Sequence, residues 1–229
     1  MDHQTLTDML RLHADDGYRD FSRKLKVSDH PILGVRMPLV RQVAKTIGEP
    51  QVFLDAFLTW TEPWYEEVLV AFITVGKLKD NGETLRYLEK LLPYNDGWAT
   101  NDLLCPSLRQ MAKHPQSYWP YLSGKSGSPN PWDVRFSLIC MMDWYLNDTY
   151  IREVLEVVQT VGKQAQYVML AASWLLATAM IDYPKLVLPL LEPGKLDVLT
   201  QKKTIQKARE SYRIPDGLKE TLGIMRQAL

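Results

Sequence analysis

Two segments of the chain hold residues whose types could do chemistry together. Trp98 and Asp102 lie four residues apart in NDGWATNDLLC (95–105), so a helix there would place both on one face. An aromatic ring and a carboxylate directed at one place attract positive charge. Further along, Arg135 opens a mostly apolar segment, and Trp174 lies in a segment of small and apolar residues, 167–180.

Each of these residues also has a purely structural interpretation. Asp102 would be a surface acid or an ion-pair partner, and Arg135 would pair with a neighbouring helix. Trp174 would fill the core, because the segment around it is apolar enough to be buried between other helices. The sequence leaves both interpretations open for all of them.

Four common motifs of nucleotide-binding and hydrolytic enzymes are absent from the chain. It has no GxxxxGK[ST], GxGxxG, HExxH or GxSxG sequence, which argues against nucleotide hydrolysis, zinc proteolysis and α/β-hydrolase chemistry. Cys105 and Cys140 stand 35 residues apart and outside any Cys/His cluster, so neither a disulfide framework nor a metal site is expected. We expect a cytoplasmic protein without metal or cofactor, in which His13 and His30 are surface residues near helix ends.

The charge balance limits the kind of partner. Lys plus Arg and Asp plus Glu both count 27 in 229 residues, so the formal net charge is zero and any anionic partner must meet a local basic patch. The best cluster, 202–209, falls on one predicted helix, although a solvated helix face would have the same composition. The candidate cations are Lys77, Lys79, Arg109, Lys113, Lys202, Lys203, Lys207 and Arg209.

Apolar residues recur at helical spacing along the whole chain, which predicts an all-α protein. No sustained alternating runs bounded by hairpin turns occur, and no apolar stretch approaches the ~20 residues needed to span a membrane. The predicted helices cover about 38–47, 63–79, 83–92, 98–113, 116–122, 131–146, 148–160, 164–181, 184–191, 197–211 and 216–228.

Short connections between these helices make sequential helices antiparallel neighbours. Either a globular bundle or an α-solenoid of stacked helix pairs would satisfy this pattern, and the lack of long crossover loops favours the solenoid. The longest connection is SGKSGSPNP (123–131), a candidate mobile loop. No shift in composition divides the chain, so residues 1–229 are expected to form a single domain.

Five motifs, in order and spacing, resemble the DNA alkylation repair family of AlkD-type glycosylases. They are ILGVRMPLVR (32–41), the segment from Asn95 through Trp98 to Asp102, Arg135-Phe136, the helix of Trp174, and QKKTIQK (201–207). The similarity extends from about residue 18 to the end of the chain. The resemblance implies a superhelix (solenoid) of antiparallel HEAT-like helical repeats that binds DNA on its concave face.

The resemblance also implies a reaction and roles for the matching residues. The family hydrolyses the N-glycosidic bond of purines alkylated on ring nitrogens in duplex DNA, as a monomer and without a cofactor. Asp102 would be the catalytic carboxylate, and Trp98 and Trp174 would be the aromatic walls against the damaged nucleotide. Arg135 would hold a backbone phosphate, with Arg109, Lys113, Lys202, Lys203 and Lys207 as further DNA contacts.

Two features depart from the best-characterised members of that family. Phe136 stands where a second arginine is common, and the chain as a whole is neutral rather than basic. These departures keep a second function open, a catalytically weak or inactive helical-repeat module that binds unusual DNA structures or a protein partner.

Overall fold

The computed structural model describes residues 1–161 and 165–229, and within them every regular element is a helix. The all-α prediction is therefore confirmed for this part of the chain. The predicted helix start at residue 164 lies outside the described residues; the helix itself is present from Gln166. None of the helices in the described ranges is long and apolar enough to cross a membrane.

The chain divides into two compact units, Met1–Tyr118 and Trp119–Leu229. The first unit contains α1 (His3–Arg11), α2 (Asp16–Lys24), α3 (Met37–Lys45), α4 (Pro50–Phe57), α5 (Tyr65–Val75), α6 (Asn81–Leu91), a 3-10 turn (Leu92–Tyr94), α7 (Trp98–Ser107) and α8 (Gln110–Lys113). The remaining helices are α9 (Pro115–Ser126), α10 (Pro131–Trp144), α11 (Ile151–Thr160), α12 (Gln166–Asp182), α13 (Pro184–Val187) with a 3-10 turn (Leu188–Leu191), α14 (Val198–Glu210) and α15 (Asp216–Gln227).

One buried helix organises each unit. In the first, α5 packs against α1, α3, α4, α6 and α7, and ten of its eleven residues are buried. In the second, α12 packs against α10, α11, α13 and α14. Burial of each large apolar side chain on these helices contributes about 1.5–3 kcal/mol, so α5 and α12 supply much of the stability of their units.

The strongest packing in each unit links every second helix. In the first unit α5 packs between α3 and α7, and in the second unit α12 packs between α10 and α14. Stacked helix pairs would give this alternation, because one helix of each pair would meet its equivalent in the next pair; the superhelix remains a prediction.

Three connections differ from the sequence prediction. The predicted helix 98–113 is broken at Leu108, whose ψ of 53° lies outside the helical region. The predicted helix 184–191 changes to 3-10 geometry after Val187. The first part of the predicted loop 123–131 is helical, since α9 continues to Ser126. The Lys125 ammonium lies 3.7 Å from the Asp133 carboxylate and over the Tyr121 ring, so the segment also makes side-chain contacts.

Candidate functional site

The first turn of α7 is held by the loop that follows α2. The Asp96 carboxylate accepts hydrogen bonds from the Ser28 hydroxyl (2.7 Å) and from the backbone N–H groups of Asp29 (2.8 Å) and His30 (3.0 Å). Hydrogen bonds to an ionised acceptor are about twice as strong as neutral ones. The loop and the start of α7 therefore form one rigid piece.

Gly97 allows this close approach. A Cβ atom on residue 97 would lie 2.1 Å from the carbonyl oxygen of Val27, so no other residue fits without moving the backbone. The Thr100 hydroxyl accepts from the Gly97 N–H (3.1 Å) and lies 3.0 Å from the Asn95 side-chain oxygen, which fixes the helix start. Trp98 follows directly and is positioned by these contacts.

Trp98 and Asp102 share the accessible face of α7. Both are half-buried, while Leu103 and Leu104, on the opposite side, are buried in the core, as the spacing predicts. The indole N–H of Trp98 donates to the Leu25 carbonyl at 3.3 Å. The structure therefore places an oriented ring and a carboxylate one helical turn apart.

Arg135 is buried within α10, with 5% of its surface exposed. One guanidinium nitrogen donates to the Tyr167 carbonyl at 2.8 Å, and the Tyr167 ring packs against Trp132. Arg135 thus connects α10 with the first turn of α12. The cation has a fixed position rather than a flexible one.

Trp174 is an exception on the buried helix α12. The residues on either side of it, Ser173 and Leu175, are fully buried, but Trp174 is 38% exposed. The Lys207 ammonium, from α14, lies 5.5 Å from the centre of its ring, within cation–π range. Core packing therefore does not account for Trp174, whose ring face already meets a positive charge.

This exposure leads to a stability prediction. Trp174→Ala is expected to lower the free energy of unfolding by less than Phe136→Ala, because 38% of the tryptophan is already exposed to water. Phe136→Ala, at a fully buried site in the same unit, is expected to cost about 3–5 kcal/mol. Urea denaturation of both variants tests this comparison, and equal losses would restore the packing interpretation of Trp174.

The predicted cations differ in their surroundings. Lys77 donates to the carbonyl groups of Ala44 and Ile47 at the end of α3, and burial lowers its pKa, so it caps a helix. Arg109 and Lys113 are exposed at the two ends of α8. In the second unit, α14 carries Lys202 and Lys207, which are half-buried, and Lys203, which is exposed.

Sequence reasoning missed the two carboxylates buried in α5. Glu66 accepts hydrogen bonds from the backbone N–H groups of Leu33 (2.9 Å), Gly34 (2.8 Å) and Val35 (2.9 Å). Glu67 accepts from the Trp64 N–H (3.0 Å) and the Thr7 hydroxyl. The sequence did contain a signal for them. Two acids stand inside the apolar run YEEVLVAFITV, and because buried carboxylates are rare unless paired, this pattern indicates that each has a hydrogen-bond partner.

These contacts explain the string ILGVRMPLVR. Gly34 has φ +95°, and a Cβ atom there would lie 2.4 Å from the Asp15 carbonyl oxygen, so the turn requires glycine. Arg36 lies over the Tyr18 ring and 3.2 Å from the Asp15 carboxylate. The string is a structural element that anchors α2 and α3 to α5.

The structure brings together two pairs of candidate residues, each within one unit. Trp98 and Asp102 form the first pair and Trp174 and Lys207 the second, with Arg135 on the helix beside α12. A carboxylate next to an aromatic ring can stabilise a cation, and a fixed arginine can bind phosphate. No group of three or more His, Cys, Asp or Glu residues that could hold a metal ion occurs among residues 1–161 and 165–229.

Comparison with known proteins gives one family. A family model described as DNA alkylation repair enzyme matches residues 6–209, which include all the candidate residues above. No curated protein matches the chain.

Proposed function

Because the chain belongs to the DNA alkylation repair enzyme family, we propose that it is a DNA glycosylase acting on purines alkylated on a ring nitrogen in duplex DNA. The family membership states a role in the repair of alkylated DNA. The proposal adds the reaction, which is hydrolysis of the N-glycosidic bond. It also adds the fold expected from the resemblance, a single-domain, monomeric superhelix of HEAT-like repeats that works without a cofactor.

The reaction suits the residues of the first pair. An alkylated purine already carries a positive charge, so the bond from the ring nitrogen to C1′ breaks with both electrons moving to the base, which leaves neutral. The charge then resides on the deoxyribose. Asp102 stabilises that charge and orients the water whose oxygen bonds to C1′, while the released proton passes to the carboxylate or to solvent.

The aromatic residues and Arg135 complete the proposed mechanism. Trp98 and Trp174 attract the cationic base and sugar through their ring faces, at about 0.5–2 kcal/mol each. Arg135 is the proposed phosphate ligand; its guanidinium is anchored on the Tyr167 carbonyl, and 5% of the residue is exposed. Arg109, Lys113, Lys202, Lys203 and Lys207 provide further phosphate contacts, and these confer the salt dependence of binding.

One observation carries this proposal: Trp174 is exposed on a buried helix and has an ammonium group on its ring face. The ring face of this exposed tryptophan accommodates an ammonium group, so a cationic ligand would fit there in place of Lys207 when Lys207 contacts a DNA phosphate. The geometry of Lys207 over Trp174 supports recognition of positive charge without any assumption about the lesion.

The direct test is release of methylated purines. Duplex DNA treated with a methylating agent is incubated with excess protein in a single-turnover format, and free bases are measured by chromatography. We expect release of methylpurines well above their spontaneous loss from the same DNA, and no release of unmodified purines. Release at the spontaneous rate would contradict the proposal.

The neutral net charge favours one alternative, a non-catalytic module for unusual DNA or a protein partner. Phe136 is fully buried, so this position contributes no charge to any surface. Binding of branched duplexes in preference to methylated ones, together with no base release, would support the alternative.

A further inference from the structure

A cleft of about 460 Å³ opens at the end of α2, before residues 33–35, whose backbone binds Glu66 of α5 and which we call the strap. We call it the α2-end cleft. Arg23, Lys26, Asp29 and His30 are among its lining residues. None of the candidate residues discussed so far belongs to it.

Lys26 occupies a backbone conformation that lysine rarely adopts. Its φ is +49°, in the left-handed region, and its N–H bonds to the Arg23 carbonyl at the end of the helix. Glycine is the usual residue at such a helix end, because a Cβ atom is disfavoured there. Glu62 shares this conformation, so the backbone angle alone assigns no role to Lys26, and the reason must come from its surroundings.

The cleft adjoins the first pair of candidate residues through direct contacts. The residue before Lys26 receives the hydrogen bond from the Trp98 indole, and Asp96 binds the backbone at Asp29 and His30. Trp98 and the cleft therefore keep a fixed geometry. If a nucleotide lies against Trp98, we expect a neighbouring phosphate of the same strand to reach this surface.

The charges in the cleft suit a single phosphate. Lys26 and Arg23 are exposed cations, and the only competing contact of Arg23 in the described residues is a surface pair at 3.9 Å with Asp20, which costs little to exchange. Asp29 and Asp96 supply two opposing charges, of which the Asp96 carboxylate is already bonded to the Ser28 hydroxyl and to the backbone N–H groups of Asp29 and His30. His30, expected at the surface, is half-buried and bonded through Nε2 to the Tyr94 carbonyl (3.0 Å) beside Asp96 (3.6 Å).

We propose that the α2-end cleft binds a backbone phosphate of the DNA strand that passes Trp98, with Lys26 and Arg23 as its ligands. This inference rests on the proposed function, since it names a DNA contact of that site. The two ligands lie in the N-terminal segment, before the five motifs on which the family resemblance rests. Of the lining residues, Ile32 alone belongs to the first of those motifs.

The decisive variant is Lys26→Gly, because its effects on folding and on binding are expected to have opposite signs. Glycine relieves the left-handed strain, so the thermal midpoint should stay level or rise, whereas loss of the ammonium should weaken binding of a fluorescent duplex. We expect a several-fold weaker Kd for any duplex sequence and a log Kd–log salt slope smaller by about 0.9, as for one lost phosphate contact. Lys26→Arg should retain both properties.

Glu62→Gly is the matched control, since Glu62 is the other non-glycine residue with positive φ (51°) in the described residues. Its change in thermal midpoint should match that of Lys26→Gly, and its Kd for duplex DNA should match that of the native protein. Asp29→Asn should tighten binding by removing one of the two opposing charges. If the native protein binds duplex DNA and Lys26→Gly keeps its Kd and salt slope, this inference alone is overturned; if the native protein binds no DNA, both proposals fail.

Discussion

Asn in place of Asp102 is expected to slow the release of methylpurine by about 10²–10³-fold, the effect of removing one preorganised charge from a transition state. The amide keeps the shape of the carboxylate but cannot balance the positive charge on the sugar. Because this charge develops only during bond cleavage, the Kd for methylated duplex should change by no more than a few-fold. Single-turnover rates and fluorescence anisotropy measure the two quantities separately.

Asp8→Asn is the control for this variant. Asp8 is an exposed carboxylate on α1 in the same unit, hydrogen-bonded only locally to Gln4 (2.8 Å) in the described residues. It should leave both rate and affinity unchanged. Equal rates for the native protein and Asp102→Asn would remove Asp102 from the mechanism, even if base release itself were observed.

The second large effect concerns stability. Glu66→Ala is expected to lower the free energy of unfolding of the protein by about 3–5 kcal/mol, because the backbone N–H groups of Leu33, Gly34 and Val35 would be buried without an acceptor. The strap would then separate from α5. Urea denaturation monitored by circular dichroism measures the change.

Two further variants define the cause. Glu66→Gln keeps an acceptor oxygen but loses the charge, so its loss should fall between those of the native protein and Glu66→Ala. Glu49→Ala removes an exposed carboxylate that makes no capping hydrogen bond and should change stability by less than about 0.5 kcal/mol. A loss for Glu66→Ala no greater than for Glu49→Ala would contradict the structural role of Glu66.

Local patterns in the sequence predicted most of the helices but missed α1, α2 and α4. Apolar periodicity and Pro or Asp at helix starts placed α3, α6, α10 and α14 within two residues of their observed starts. The break at Leu108 was missed although Pro106, inside the predicted helix 98–113, was an available signal for it. The superhelix of the whole chain remains a prediction.

The candidate site shows where such patterns reach their limit. The spacing of Trp98 and Asp102 was sufficient to place them on one face, because both lie on one helix. The exposure of Trp174 depends on which side of α12 its neighbours cover, and the burial of Glu66 depends on a strap 30 residues earlier in the chain. Contacts between distant segments are not encoded in local periodicity.

The packing of alternate helices around α5 also has a kinetic consequence. The main partners of α5 extend only from α1 to α7, and those of α12 only from α10 to α14, so most stabilising contacts join residues close in sequence. Chains with such low contact order close short loops before they gain contacts, and they fold quickly. We expect residues 1–118 to reach their native structure on the ribosome before synthesis of α14 is complete.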